Sequence, residues 1–372
     1  MSSRTVYSKH IDLSNAPWTM HEFFAGSGLV AYGLRGMFTP VWANDISEQK
    51  AAVYKTNFGD KHFELNDIKK INGSDLPYAQ LSWASFPCQD LSLAGNMEGI
   101  HASRSGLVWE WLRVLNQMNE KPRLLLLENV TGLLSTKGGE NYKVLHEALN
   151  ESGYDCGAIV LNADRFVPQS RPRVFVIAVR QGFPIPRELV GSGPCWLHNK
   201  AAIDLGKLLP NWIWWYTDEP TKRSLELKDI VEKDVPFDKD YVLALIPPKH
   251  QEKLNGMDNV YMTGYRRTRQ GHQQLELRSD GIAGCLRTPE GGSSKQYLVV
   301  KRNGETHARL LTVRETARLM GAPDTFELPG SYNDGYKAMG DAVAMPVAQF
   351  IGERFLTKIA EAVYYDECRK QA

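Results

Sequence analysis

Leu81-Ser-Trp-Ala-Ser-Phe-Pro-Cys-Gln-Asp90 is an apolar run that stops at Pro87 and delivers a lone cysteine, Cys88, with Gln89 and Asp90 behind it. The run reads as a buried strand, and in a doubly wound α/β sheet the loop after a strand faces the ligand crevice. Proline fixes φ and removes an amide, so the backbone entering Cys88 is stiff. That setting suits a nucleophile, although most isolated cysteines of this kind are half-buried structural residues at a turn. The stretches on either side decide between the two.

Upstream, Trp18-Thr-Met-His-Glu-Phe-Phe24 leads into Ala25-Gly-Ser-Gly-Leu29, and Val30 to Arg35 reads as a helix. Strand, Gly-x-Gly turn and helix open a nucleotide-binding βαβ unit. Gly33 is displaced from the place of the third glycine in a dinucleotide fingerprint, which disfavours NAD. A second strand, Pro40-Val-Trp-Ala43, ends in Asn44-Asp45. Asp45 either binds a ribose diol or caps the helix predicted over 46–57. Leu65-Asn-Asp-Ile68 places a further acid, Asp67, at a strand end. Together the three strand ends describe an adenosine-binding edge.

Downstream, Leu91 to Arg104 is Gly/Ser-rich and predicts a mobile loop, followed by an amphipathic helix over 107–118. Arg123-Leu-Leu-Leu-Leu127 predicts a strand buried on both faces of a parallel sheet. It terminates in Glu128-Asn-Val130. A carboxylate there would sit in low dielectric and carry or share a proton; capping the next turn is its other role. A helix over 142–150 and a strand over 157–161 precede Val167-Pro-Gln-Ser-Arg-Pro-Arg173 and the strand 174–179. Arg171 and Arg173 straddle a proline and offer forked donors for a phosphate or a base carbonyl, with a solvated pair as the alternative.

Composition shifts near Gly182, and Pro/Gly breaks alternate with aromatics and charge to about Glu305. Asn211-Trp-Ile-Trp-Trp-Tyr216 is either core or a base-stacking platform. Tyr261 to Arg302 holds eight basic residues against three acidic ones, a local excess of five, interleaved with Gly, Ser, Thr, Gln and His. That mix contacts phosphates and base edges from loops. Helical periodicity returns over 312–320, where Thr312 and Glu315 have capping-box spacing, and over 347–366.

With 372 residues the chain can bury two cores, and its hydrophobic (42%) and charged (23%) fractions are those of a soluble globular protein. A net charge of +1 makes any nucleic-acid surface a local patch. The five cysteines are far apart with no Cys-x-x-Cys pair, so no metal site or disulfide framework is expected. No apolar leader or membrane-length run is visible. A soluble cytoplasmic protein, associated with the nucleoid through DNA, is expected.

Phe24-Ala-Gly-Ser-Gly28, Phe86-Pro-Cys-Gln89, Glu128-Asn-Val130, Gln169-Ser-Arg-Pro-Arg173, Arg309-Leu-Leu-Thr-Val-Arg-Glu315 and Gly340-Asp-Ala-Val343 occur in one order across the chain. Read together they closely resemble the motifs of the DNA (cytosine-5) methyltransferases, with family-like gaps. The resemblance implies an α/β fold: a Rossmann-like sheet binding S-adenosyl-L-methionine (AdoMet), interrupted by a smaller target-recognition domain. The corresponding boundaries are 1–184 for the first part of the catalytic domain, 185–305 for the insert and 306–372 for the returning segment.

The same resemblance assigns roles. Cys88 would add to C6 of a flipped-out cytosine, Glu128 would hold N3 and the exocyclic amine, and Arg173 with Arg171 would bind near O2. AdoMet contacts are implied for Phe24, Ala25, Gly26, Gly28 and Leu29. Asp45 beside Ile46 would take the ribose, and Asp67 with Ile68 the adenine. Pro87, Leu107 and Asp341-Ala342-Val343 would line the rest, with S-adenosyl-L-homocysteine as product. DNA contacts are expected from Gln89, Ser92, Arg104, Gln169, Arg266, Arg267, Arg269, Arg287, Thr288, Ser294 and Lys295. Two departures stand out: Asp341 replaces the usual Asn, and Cys285-Leu286 stands where a Thr-Leu pair is usual. The phosphate contact of that Thr is therefore expected from Thr288 or Ser294. Double-stranded DNA is the implied partner, with a cognate restriction endonuclease and monomeric action as further expectations. An RNA cytosine-5 methyltransferase, a silent DNA-binding relative and a NAD-linked oxidoreductase are the competing readings.

Overall fold

The structure is a computed structural model and describes residues 10–87, 106–288 and 294–371. Cys88, Gln89, Ser92 and Arg104, with the Gly/Ser-rich loop, lie outside the described residues. The chain divides into two compact units. The first comprises Met1–Leu161, Pro172–Glu219 and Val347–Ala372; the second comprises Asn162–Arg171 and Pro220–Pro346.

The first unit is built on strands β1 (Trp18–Phe23), β2 (Phe38–Asp45), β3 (Phe63–Leu65), β4 (Leu81–Ala84), β5 (Leu124–Val130), β6 (Tyr154–Asn162) and β7 (Pro172–Arg180). Their order in one seven-stranded sheet is β3-β2-β1-β4-β5-β7-β6. β1 runs parallel to β2 and β4, β2 to β3 and β4 to β5, whereas β5 and β7 are antiparallel. This is the α/β, Rossmann-like architecture expected from the strand–turn–helix pattern. Leu124 to Leu127 are buried, as the unbroken leucine run requires of a central strand. β5 extends three residues past that run, because Val130 still pairs with Arg173 on β7.

Helices cover the sheet with apolar faces. In Leu107–Gln117, Trp111 is buried and its Nε1 donates to Ser82 Oγ on β4 at 3.0 Å; each such large side chain contributes about 2–3 kcal/mol of burial. The 211–216 aromatic segment also belongs here. Ile213 N donates to the Cys156 carbonyl at 3.0 Å, Trp215 Nε1 to the Ile177 carbonyl at 3.2 Å, and Trp212 stacks on His146. These contacts make the segment core rather than a base-stacking platform, and they carry the first unit to Glu219, beyond the expected boundary at 184.

The second unit holds β8 (Val260–Arg269), β9 (His272–Arg278), β10 (Gln296–Arg302) and β11 (Glu305–Leu310) in the order β11-β10-β8-β9, with antiparallel pairings. Val242, Ile246, Leu254, Met262, Leu275, Tyr297, Val299 and Ala308 form its core. Much of the basic stretch expected in loops is therefore strand. The adjacent Arg266 and Arg267, on opposite faces, obscured the two-residue period, since long arginine stems can lie on an apolar surface. The returning segment joins the first unit only at Val347, not at 306. Before that point, β11 pairs with β10, and Gln296 N donates to the Tyr336 hydroxyl at 3.0 Å. Arg309 and Glu315 form a buried ion pair at 2.6 Å, and Glu315 completes the capping box with Thr312.

Candidate active site

Four parallel strand ends gather the candidate residues of the first unit. Phe23 pairs with Asn44 on β2 and with Ala84 on β4, and Ala84 pairs with Leu127 on β5. Asp45, the Phe24–Gly28 turn, Phe86-Pro87 and Glu128 consequently leave one edge of one sheet. In an open α/β sheet that edge is the ligand crevice.

The turn after β1 adopts left-handed backbone at Phe24 (φ 56°), Gly26 (φ 57°) and Gly28 (φ 82°). Gly28 has a second constraint: a Cβ there would lie 2.4 Å from the Phe58 ring and 2.8 Å from Tyr54. Asp45, 7% exposed, accepts from Gly26 N through Oδ2 at 2.9 Å and from Ser47 N through Oδ1 at 2.8 Å. The helix N-cap is Ser47, whose side chain accepts from Lys50 N, so Asp45 braces the turn rather than capping the helix. Each carboxylate oxygen retains acceptor capacity. Beside it Ile46 is 69% exposed, an apolar wall without a cover among the described residues. Asp67 follows β3, its Oδ1 accepting from Lys69 N at 3.0 Å, and Ile68 is buried. Leu107, half-buried, opens its helix.

Glu22 lies beneath this turn. It is fully buried, its Oε2 is 3.4 Å from the Tyr54 hydroxyl, and Oε1 has no hydrogen-bond partner. Burial pushes its carboxyl up to about 8. The sequence reading missed Glu22; an acid inside an otherwise apolar strand was the available signal. An orphaned buried oxygen, a two-glycine turn, a carboxylate with open lone pairs and an exposed apolar side chain form a donor set that could hold a nucleoside cofactor with a charged amino-acid end.

On β5, Glu128 is 6% exposed and meets Arg173 Nε at 3.0 Å from across the antiparallel pair. The apolar strand had suggested a carboxylate in low dielectric; the structure sets a cation beside it. Asn129, also missed, sends Nδ2 to the Phe86 carbonyl at 2.9 Å. It thereby fixes the residues that lead into Cys88.

In the second unit the expected residues divide. Arg171 is 2% exposed; Nη1 donates to the Leu286 carbonyl (2.9 Å), and Nη2 to the carbonyls of Gly340 (2.9 Å) and Ala342 (2.7 Å). Both Nη groups are thus held by backbone acceptors, a bracing role beside the one expected from the sequence. Gln169 is likewise buried, accepting from Leu286 N at 3.0 Å and donating to the Leu319 carbonyl at 2.8 Å, so it is no surface DNA contact. The Thr288 hydroxyl donates to Asp341. Asp341, Ala342 and Val343 fall in this unit, and Val343 is buried. Lys295 donates to Asn333 Oδ1 at 2.7 Å above the Tyr332 ring, Ser294 is half-buried, and Arg287 is exposed. Arg269 forms a forked pair with Glu276 at 2.6 and 3.2 Å, and Arg267 lies over the Tyr265 ring at 4.7 Å. Arg266 alternates to the opposite face, opposite Leu275.

Comparison with known proteins gives these geometries a context. The family model described as C-5 cytosine-specific DNA methylase matches residues 18–357. The Type II methyltransferase M.HhaI of Haemophilus parahaemolyticus is 30% identical over 343 residues, covering 89% of this chain and 91% of its own. The Type II methyltransferase M.Bsp6I of Bacillus sp. (strain RFL6) is 29% identical over 346 residues, covering 89% and 96%. Among solved structures, a Spodoptera frugiperda DNMT2 variant superposes with a TM-score of 0.61 at 17% identity, covering 92% of this chain and 99% of its own. That likeness speaks to the fold alone.

Proposed function

The chain belongs to the C-5 cytosine-specific DNA methylase family, and from that premise we propose that it methylates C5 of a cytosine flipped out of a short double-stranded DNA target, through a covalent bond between Cys88 and C6. It is a DNA cytosine-5 methyltransferase, and the family implies AdoMet as methyl donor. The observation that carries the mechanism is the Glu128–Arg173 pair, on the strand end that Asn129 ties to Phe86.

C5 of cytosine is a poor nucleophile until a group adds to C6. Cys88 attacks C6 as the thiolate. Glu128 accepts from the exocyclic amine and delivers a proton to N3, which takes up the negative charge that the thiolate brings to the ring as C5 becomes enamine-like. Arg173 fixes the Glu128 carboxylate and orients the base near O2. AdoMet, when bound, supplies an electrophilic methyl group. A base then removes the C5 proton, the C5–C6 double bond reforms, and the Cys88 sulfur leaves. Asp45, with the Phe24–Gly28 turn, Ile46, Asp67 and Ile68, holds the cofactor. Arg171 acts as a positioning residue in the second unit. Because a stacked cytosine exposes neither face of C6 to a thiolate, the base leaves the duplex before reaction.

The basic excess of residues 261–302 supports the second unit as the part that recognises DNA. Relatives named Type II methyltransferases support a place in a restriction–modification system with a cognate endonuclease. We read the enzyme as a monomer acting on DNA in the cytoplasm. Bisulfite sequencing of plasmid from methylation-deficient cells expressing this chain tests the reading, beside Cys88→Ser. Protected cytosines at one recurring motif, absent in the variant, are expected. Unprotected plasmid in cells holding soluble, AdoMet-binding protein would overturn it.

A further inference from the structure

Resting on the reading of the second unit as the DNA-recognising part, we propose that Arg267 and Gln274 read two neighbouring base pairs in the major groove, a guanine by Arg267 and an adenine by Gln274. β8 and β9 form a hairpin closed by Gln270 (φ 49°) and Gly271 (φ 81°), and its register sets Arg267 opposite Gln274. Side-chain alternation then puts Tyr265, Arg267 and Gln274 on one face, whereas Arg266 and Leu275 point to the other, where Leu275 enters the core.

On the outward face the groups differ in what already holds them. Arg269 is neutralised by Glu276. Among the described residues Arg267 makes no ion pair or hydrogen bond, and Gln274 has no hydrogen-bond partner, although both are half-buried. Arg267 is nonetheless placed. Its guanidinium lies 4.7 Å over the Tyr265 ring, and the Tyr265 hydroxyl donates to the Cys285 carbonyl. A Cβ at Gly284 would lie 2.6 Å from that ring, so glycine there leaves the ring its position. A guanidinium already seated over a ring is partly organised before any ligand arrives, which lowers the entropy cost of recognition.

The dimensions fit. Directly opposed side chains in an antiparallel pair start about 5 Å apart, and base pairs rise about 3.4 Å, so neighbouring pairs are within joint reach. The major groove admits a two-stranded ribbon; there Arg matches guanine O6 and N7, and Gln matches adenine N6 and N7, each by two hydrogen bonds.

The test uses the full chain, with Arg267→Lys and Gln274→Ala, on a DNA duplex library of randomised sequence read by bisulfite sequencing. The wild-type target should contain a G·C pair next to an A·T pair. Arg267→Lys keeps the charge but loses the fork, so discrimination at that G·C pair should fall about tenfold or more. Gln274→Ala should relax the neighbouring A·T position by a similar factor. Gln273→Ala, on the opposite face, should leave the preference intact. AdoMet binding and thermal midpoints matched to wild type certify the fold, with Arg267→Gln replacing a lysine variant that does not fold. A target without adjacent G·C and A·T pairs would overturn the proposal. So would variants that slow every sequence equally, the behaviour of phosphate contacts. Absence of methylation by the wild type would instead count against the parent reading.

Discussion

Asn129 Nδ2 donates to the Phe86 carbonyl at 2.9 Å, so the strand end that carries Glu128 also holds the peptide that leads into Cys88. One amide thus ties the strand end that carries Glu128 to Phe86, two residues before Cys88 in sequence. Asn129→Ala should lower kcat about 10- to 100-fold, the order expected when a reacting group is misplaced by about an ångström. AdoMet affinity should be little changed. Single-turnover methylation with parallel calorimetric titration checks this; an unaltered kcat would separate Asn129 from the chemistry.

Breaking the Glu128–Arg173 pair should cost both stability and activity, but separably. Arg173→Ala leaves a nearly buried carboxylate without this partner, a loss of about 3 kcal/mol. Adding Glu128→Gln should restore much of the thermal midpoint while leaving methylation abolished. A double-mutant cycle of urea midpoints measures the coupling, and additive effects would mean that the pair is not a unit.

Arg171→Met strands the carbonyls of Leu286, Gly340 and Ala342. Charge-assisted hydrogen bonds contribute about 1.5–3 kcal/mol each, so the variant should unfold at a clearly lower temperature than wild type. A residue that only bound the base would leave the melting curve unmoved.

Neighbouring titrations on β1 make stability depend on pH in a particular way. Burial pushes the His21 imidazole down to about 4 and the Glu22 carboxyl up to about 8. From about 4 to 6.5 the unfolded chain holds the extra proton at His21, so that contribution rises with pH. From about 4.5 to 8 the folded chain holds the extra proton at Glu22, so that contribution falls. The two oppose each other up to about 6.5. Above that, of these two only Glu22 acts, and its contribution should decline by at most about 1.4 kcal/mol per pH unit. Glu22→Gln should flatten the decline; melting curves between pH 6.5 and 8 that keep the wild-type slope would contradict it.

The sheet was legible because its strands carry unmixed signals. Leucine runs, Gly-x-Gly and strand-terminal acids each follow from local backbone demands, and Asp45, Glu128 and Arg173 stand at strand ends as their spacing implied. The bracing bonds of Arg171 and Gln169 were not legible, because a polar side chain looks the same in sequence whether it meets solvent, ligand or a buried carbonyl. Their acceptors lie more than a hundred residues away, at Leu286, Leu319 and Gly340. The β8–β9 hairpin was hidden for another reason: arginines occupy both of its faces, and only the pairing register sorts them.

The second unit is discontinuous, and that limits how recognition can be traded between relatives. Its ten-residue piece, Asn162–Arg171, is spliced between two strands of the large sheet, yet the Gln169 and Arg171 side chains bond groups from the later stretch. A graft of residues 220–346 alone would arrive without the side chains that brace it. On the proposed reading of the second unit, the cassette for target choice is two segments, and recombination that moves one without the other should yield a chimera with mismatched braces rather than a new specificity.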